Sequence, residues 1–177
     1  VPDWVILPFI LGAVMLAYAP DSGKGPVVLV LSGQTGPTSY QPYAAELAKL
    51  GYYVVLLDAK DVFNRSQWPE PVNFNKALAR ALRAPQAVPG KAAVIGFSLG
   101  GGAALLHAAP LADSVSMVAV YYPYTKEWTD KIRWLTGRFR VPVLFMAAQR
   151  DRYMECCLIE SARALEGAAK GGTAPFE

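Results

Sequence analysis

VIGFSLGGGAALLHAAP, residues 94–110, decides how this chain is read: an apolar run stops at a serine fenced by glycines, and a helix of small residues follows. Gly96-Phe97-Ser98-Leu99-Gly100 fits the pattern GxSxG, in which a serine sits on a sharp turn from strand to helix. Such a turn crowds the residues two before and two after the serine. Glycine at both places removes the clashing side chains and leaves the serine strained and exposed at the helix N-terminus. There the helix dipole and the free N–H groups of the first turn favour an oxyanion. Spacing excludes two other glycine-rich loops. A dinucleotide fingerprint needs glycine at its third place, which counted from Gly96 is Ser98, and a P-loop needs a lysine and a hydroxyl residue after its last glycine, which no glycine here has. The bland alternative is a turn whose serine merely caps the helix.

Around this turn, strand-like runs alternate with helical periodicity. Pro26–Leu31, Tyr52–Leu57, Ala92–Phe97, Val115–Tyr121 and Val141–Ala148 read as strands. Tyr43–Leu50 (closed by Gly51), Asn73–Arg83, Leu99–Ala109 and Cys156–Ala169 read as helices, with the polar loop NRSQWPEP, residues 64–71, before the second. This order predicts an α/β fold with a mainly parallel sheet and helices on both faces, because right-handed crossovers place them there. At 177 residues the chain is read as one domain, residues 1–177.

Composition narrows the function classes. With 53% hydrophobic and 18% charged residues the chain is globular rather than disordered. Its formal charge of +3 is modest, and the densest basic patch, Arg133, Arg138 and Arg140, is too thin for a nucleic-acid partner. The uncharged run Trp4–Ala19 is interrupted by Pro8 and Gly12 and falls short of the roughly 20 residues of a spanning helix. It is read as two strands turning near Leu11 and Gly12, so no membrane partner is expected. No basic residue precedes it, which points to the cytoplasm, a secreted or periplasmic protein requiring a signal peptide already removed. Cys156 and Cys157 are adjacent; they form no disulfide framework and lack metal-ligand spacing, and are expected side by side on the last helix.

In a sheet of this kind function collects at the carboxyl ends of the strands. There the sequence places Ser32–Gly36, Asp58–Asp61, Ser98, Tyr121–Tyr124 and Gln149–Tyr153. Ser32-Gly33-Gln34-Thr35-Gly36 offers the backbone N–H of Gln34 as a second oxyanion donor beside that of Leu99, with Gly33 letting the main chain turn toward the serine. A catalytic acid is expected after a later strand, and Asp151 in VPVLFMAAQRDRYM fits, with Glu127 and Asp130 as rivals. Tyr121, Tyr122, Tyr124, Trp128 and Trp134 form an aromatic segment suited to a substrate wall, Tyr122 and Trp128 foremost, although core packing explains part of it.

The stretches GPVVLVLSGQTG, YAAELAKLGYYVVLLD, VIGFSLGGGAALLHAA, MVAVYYP and VPVLFMAAQRDRY run from about Val27 to Tyr153 in an order that resembles the dienelactone hydrolase family of α/β-hydrolases. The name-giving enzymes carry a cysteine where this chain has Ser98, so the resemblance is to a serine-bearing branch and points to an ordinary ester or lactone as small-molecule substrate. It implies a Ser-His-Asp triad with Ser98 as nucleophile, Asp151 as acid and the amides of Leu99 and Gln34 as oxyanion hole, needing no metal or organic cofactor.

The family's histidine follows one further strand beyond the helix after the acid. Here the residues after that helix are Gly171-Gly172-Thr173-Ala174-Pro175-Phe176-Glu177, and the expectation is a chain lacking its last strand and its histidine. His107, the single histidine, lies nine residues past Ser98 on the same helix, about 13 Å along the axis and half a turn away, out of reach. The chain alone is therefore expected to be poorly active, and a non-catalytic hydrolase-like binding domain is the alternative. Without the last strand, Val141–Ala148 is expected to present an open edge that pairs in a homodimer or limits solubility.

Overall fold

The computed structural model describes residues 4–6, 15–63 and 72–177. Seven strands form one sheet: β1 (Trp4–Ile6), β2 (Met15–Tyr18), β3 (Val27–Leu31), β4 (Tyr53–Leu57), β5 (Ala92–Phe97), β6 (Val115–Tyr121) and β7 (Val143–Met146), in the order β1-β2-β4-β3-β5-β6-β7. The five strands from β4 to β7 in that order run parallel, and β1 and β2 add antiparallel at one edge. The paired strands expected of the N-terminal run are thus present, while the turn expected near Leu11 and Gly12 and the loop at residues 64–71 lie outside the described residues.

Among the described residues, six α-helices accompany the strands: α1 (Gln41–Lys49), α2 (Ala59–Val62), α3 (Val72–Leu82), α4 (Leu99–His107), α5 (Ile132–Thr136) and, after β7, α6 (Ile159–Ala169). Short α2 and α5 were not foreseen, because a single turn carries no readable 3.6-residue period. What starts α2 is the carboxylate of Asp58, which accepts the N–H of Lys60 at 2.9 Å. The interior strands β3 and β4 are buried at all five positions, as their unbroken Val and Leu runs require. Their residues split by alternation. Leu29, Leu31, Val55 and Leu57 face one cluster with Phe74, Leu78, Leu105 and Leu106 of α3 and α4; Val28, Val30, Val54 and Leu56 face a second with Ala44 and Ala48 of α1 and with Phe97. Among the described residues no helix is long and apolar enough to cross a membrane, and no cluster of three or more metal-ligating side chains occurs.

Two expectations are corrected. Cys156 and Cys157 do not sit on the last helix, which begins at Ile159 after an extended Leu158; they precede it and are joined to each other by a disulfide. The edge of β7 is not left bare. Val143 N–H donates to Pro175 O at 2.9 Å, Phe145 N–H to Glu177 O at 2.7 Å, and Glu177 N–H returns to Val143 O at 3.1 Å, so residues 175–177 run parallel beside β7. Phe176 holds this segment down by packing on Phe139 and Phe145.

Candidate functional site

Ser98 stands between β5 and α4 with φ +48° and ψ −113°, a conformation that non-glycine residues adopt only where the surroundings enforce it. Its backbone is tied on three sides. The N–H donates to Tyr121 O at 3.0 Å, and the carbonyl accepts Gly102 N–H at 3.0 Å and Tyr124 N–H at 2.8 Å. Its side chain makes no capping hydrogen bond to α4, so this is not a serine retained as an N-cap. The flanking glycines are required by close approach. A side chain on Gly96 would run into the backbone of Gly100 and Gly101, and one on Gly100 would run into the carbonyls of Leu31 and Ser32. The start of α4 thereby packs directly on the end of β3, and Gly100 N–H donates to Ser32 O at 3.1 Å.

That approach brings the loop after β3 to Ser98. Buried Ser32 fixes the loop: its hydroxyl donates to Gly33 O and accepts the N–H of Ala59 in α2, both at 3.1 Å. A Cβ on Gly33 would lie 3.6 Å from Ser98 Cβ. Ser98, Leu99 and Gln34 share the wall of one cavity of about 870 Å³. Leu99 is the first residue of its helix, where an N–H has no intrahelical acceptor. Among the described residues, neither its N–H nor that of Gln34 donates to a backbone carbonyl.

Three other loops complete the wall: Lys60 and Phe63 from α2 and its end, Tyr124 and Lys126 after β6, and Tyr153, Met154 and Cys156 after β7. Both lysines have acidic neighbours, Lys60 with Asp58 at 3.9 Å and Lys126 with Glu155 at 3.4 Å. Lys60 lies within the Asp58–Asp61 stretch expected at this edge; Lys126 and Cys156 were not expected there, because nothing in the sequence marks one lysine among many, or a cysteine beside another, as facing a particular serine.

Asp151 follows β7 as expected but is not among the cavity's lining residues. One carboxylate oxygen accepts Tyr153 N–H at 2.9 Å. Asp151 also lies near enough to Tyr122 to help push that hydroxyl up to about 12, after burial and a hydrogen bond with Tyr40. Its rival Asp130 faces a different groove, between α5 and α6, and the side chain of Glu127 lies outside the described ones.

The aromatic segment divides. Tyr124 lines the cavity. Tyr122, with φ +38°, does not, and its ring lies on the Phe97 side. Trp128 is corrected from substrate wall to core: it is 2% exposed, lies edge-on to Phe63, and approaches Gly102 so closely that a side chain there would touch its ring. His107 is also a core residue, 7% exposed at the far end of α4 and 6.2 Å from the ring of Phe74. Burial, with Arg138 adding to it, lowers its pKa to about 4.

Comparison with solved structures shows the same fold. A dienelactone-hydrolase-like promiscuous phosphotriesterase from metagenomic libraries superposes with a TM-score of 0.71 at 16% identity, covering 98% of this chain and 80% of its own. The acylaminoacyl peptidase of Pyrococcus horikoshii gives 0.70 at 17% identity over 97% of this chain and 35% of its own. A thermostable esterase gives 0.66 at 14% identity over 99% and 54%. No curated protein matches the chain. The model of the dienelactone hydrolase family matches residues 13–170, and the chain, an α/β-hydrolase fold with a strained serine between its central strand and helix, belongs to that family of hydrolases.

Proposed function

We propose that the chain hydrolyses carboxylic esters or lactones with Ser98 as nucleophile. The observation that carries this reading is the backbone of Ser98, held at φ +48° beside a cavity that also presents Leu99 and Gln34. Ser98 Oγ attacks the ester carbonyl, its proton passes to a histidine, and the carbonyl oxygen becomes an oxyanion. The N–H groups of Leu99 and Gln34 hold that oxyanion, each such donor contributing about 10²–10³ in rate. The histidine protonates the departing alkoxide, then takes a proton from water as the water cleaves the acyl-serine. Asp151 orients this histidine through the carboxylate oxygen that does not accept Tyr153 N–H.

The single histidine of the chain cannot be that base, since His107 is buried at the opposite end of α4. The base comes from outside these 177 residues, and without it turnover is lower by on the order of 10⁶. The second reading is a non-catalytic binding domain that retains the turn.

Imidazole added to the buffer separates the two. For a hydrolase, slow release of nitrophenol from a short-chain nitrophenyl ester rises with imidazole concentration above the reagent's own rate. Ser98→Ala removes the increment and His107→Ala leaves it. Equal rates for wild type and Ser98→Ala at every imidazole concentration would overturn the nucleophile assignment and leave the binding domain.

A further inference from the structure

We propose that the Cys156–Cys157 disulfide is a thiol–disulfide exchange site, opened by a small dithiol that enters the cavity beside Ser98, and that its opening releases one wall of that cavity. The proposal rests on the cavity and not on the chemistry assigned to Ser98.

A bond between sequence neighbours closes a small ring through their shared peptide. It removes almost no freedom from the unfolded chain, because stabilisation by cross-linking grows with the length of the loop enclosed. Its effect is therefore local, and the locality is the cavity wall. Cys156 lines the cavity together with Tyr153 and Met154. Its carbonyl anchors the neighbouring wall, accepting the N–H of buried Thr125 at 2.8 Å and its hydroxyl at 3.4 Å. Thr125 lies between Tyr124 and Lys126, which also face the cavity.

The two residues just before the ring are held in the left-handed region, Met154 at φ +49° and Glu155 at φ +54°, and neither is glycine. Such conformations persist only where the surroundings over-determine them. Non-covalent restraints run through the segment itself, Tyr153 N–H donating to an Asp151 carboxylate oxygen at 2.9 Å, Glu155 N–H to Arg152 O at 3.3 Å and Cys156 N–H to Tyr153 O at 3.0 Å, and come from Lys126, whose Nζ donates to Met154 O at 3.3 Å and to the Glu155 carboxylate at 3.4 Å. The covalent ring fixes the end of the segment, holding Cys156 to Cys157. Opening it releases that end of the segment, and with it the hold on Tyr153 and Met154, which at 68% and 67% exposure have little packing to keep them against the cavity.

The chemistry balances with a dithiol as reductant. Both cysteines are nearly buried, at 6% and 5% exposure, but Cys156 borders the cavity and Cys157 does not. A thiolate entering there attacks Cys156 Sγ, the S–S bond breaks, and Cys157 leaves as a thiolate that takes a proton. The reagent's second thiol then displaces Cys156, which also ends as a thiol, and the reagent departs as a cyclic disulfide. Two electrons and two protons pass to the protein. At about 870 Å³ the cavity admits a reagent of this size.

The test uses the full chain purified without reductant. Alkylation in denaturant followed by intact mass reads the bond, and hydrogen exchange of Arg152–Leu158 reads the loop, before and after native treatment with dithiothreitol. The expected result is no alkylation before treatment, two alkylated cysteines after it, and exchange across the loop faster by about ten-fold. Cys156→Ser with Cys157→Ser should exchange like the reduced protein and ignore dithiothreitol; if that variant does not fold, the wild-type redox titration decides alone. Two free thiols in the untreated protein, resistance of the native disulfide to reduction, or reduction with unchanged loop exchange would each overturn the proposal. Ser98-dependent release of nitrophenol in the presence of imidazole, run alongside, keeps the two readings apart: loop release without that increment sinks only the nucleophile, and the increment without loop release sinks only the exchange site.

Discussion

The hydroxyl of Tyr40 occupies the place a side chain on Gly33 would need: a Cβ there would lie 2.5 Å from Tyr40 Oη and 3.5 Å from Tyr40 Cζ. The Tyr40 ring cannot easily withdraw, since its centroid packs 4.7 Å from that of Phe97 and its hydroxyl lies beside that of Tyr122. Glycine at 33 therefore allows a tyrosine to close over the loop that runs to Ser98.

Gly33→Ala should destabilise the protein by about 1–3 kcal/mol through overpacking. In a Tyr40→Phe background the same substitution should cost under about 1 kcal/mol, because the nearest remaining atom is at ordinary contact distance. Urea denaturation of the four proteins checks this. Additive effects would show that the hydroxyl is not the obstacle.

His107 makes the native state sensitive to acid. Its native pKa, about 4, lies below the unfolded value near 6.5, so the unfolded chain binds the proton more readily. Its share of stability is complete above about pH 6.5 and is lost as pH falls toward 4, where the loss approaches about 3 kcal/mol. His107→Leu should lack this component. Denaturation midpoints of both proteins at pH 7 and pH 4.5 measure it, and an equal drop in both would contradict the assignment.

Residues 175–177 satisfy the N–H groups of Val143 and Phe145 on the outer edge of β7. Deleting Pro175–Glu177 should bare that edge and remove the Phe176 contact with Phe139 and Phe145. A bare edge pairs with other chains. Sedimentation velocity of the deletion variant should shift toward larger, concentration-dependent species relative to the full chain; an unchanged profile would show that the edge is protected by other means.

What the sequence by itself determined is what depends on neighbours along the chain. The alternation of apolar runs and amphipathic stretches placed five parallel strands and the helices α1, α3, α4 and α6, because burial follows backbone periods of 2 and 3.6 residues. The strained turn at Ser98 was legible because two glycines at that spacing answer a steric conflict between adjacent segments of backbone. Tertiary structure alone decided which side chains gather around that turn. Lys126 and Cys156 reach the cavity from segments dozens of residues away from Ser98, and Trp128 falls into the core. The pairing of residues 175–177 with β7 belongs to the same class. These placements follow from how the loops cross the sheet edge and from the space that Gly33, Gly100 and Gly102 leave there. Residue type records that a tryptophan prefers burial or a lysine exposure; it does not record which surface, thirty or more residues away, will meet it.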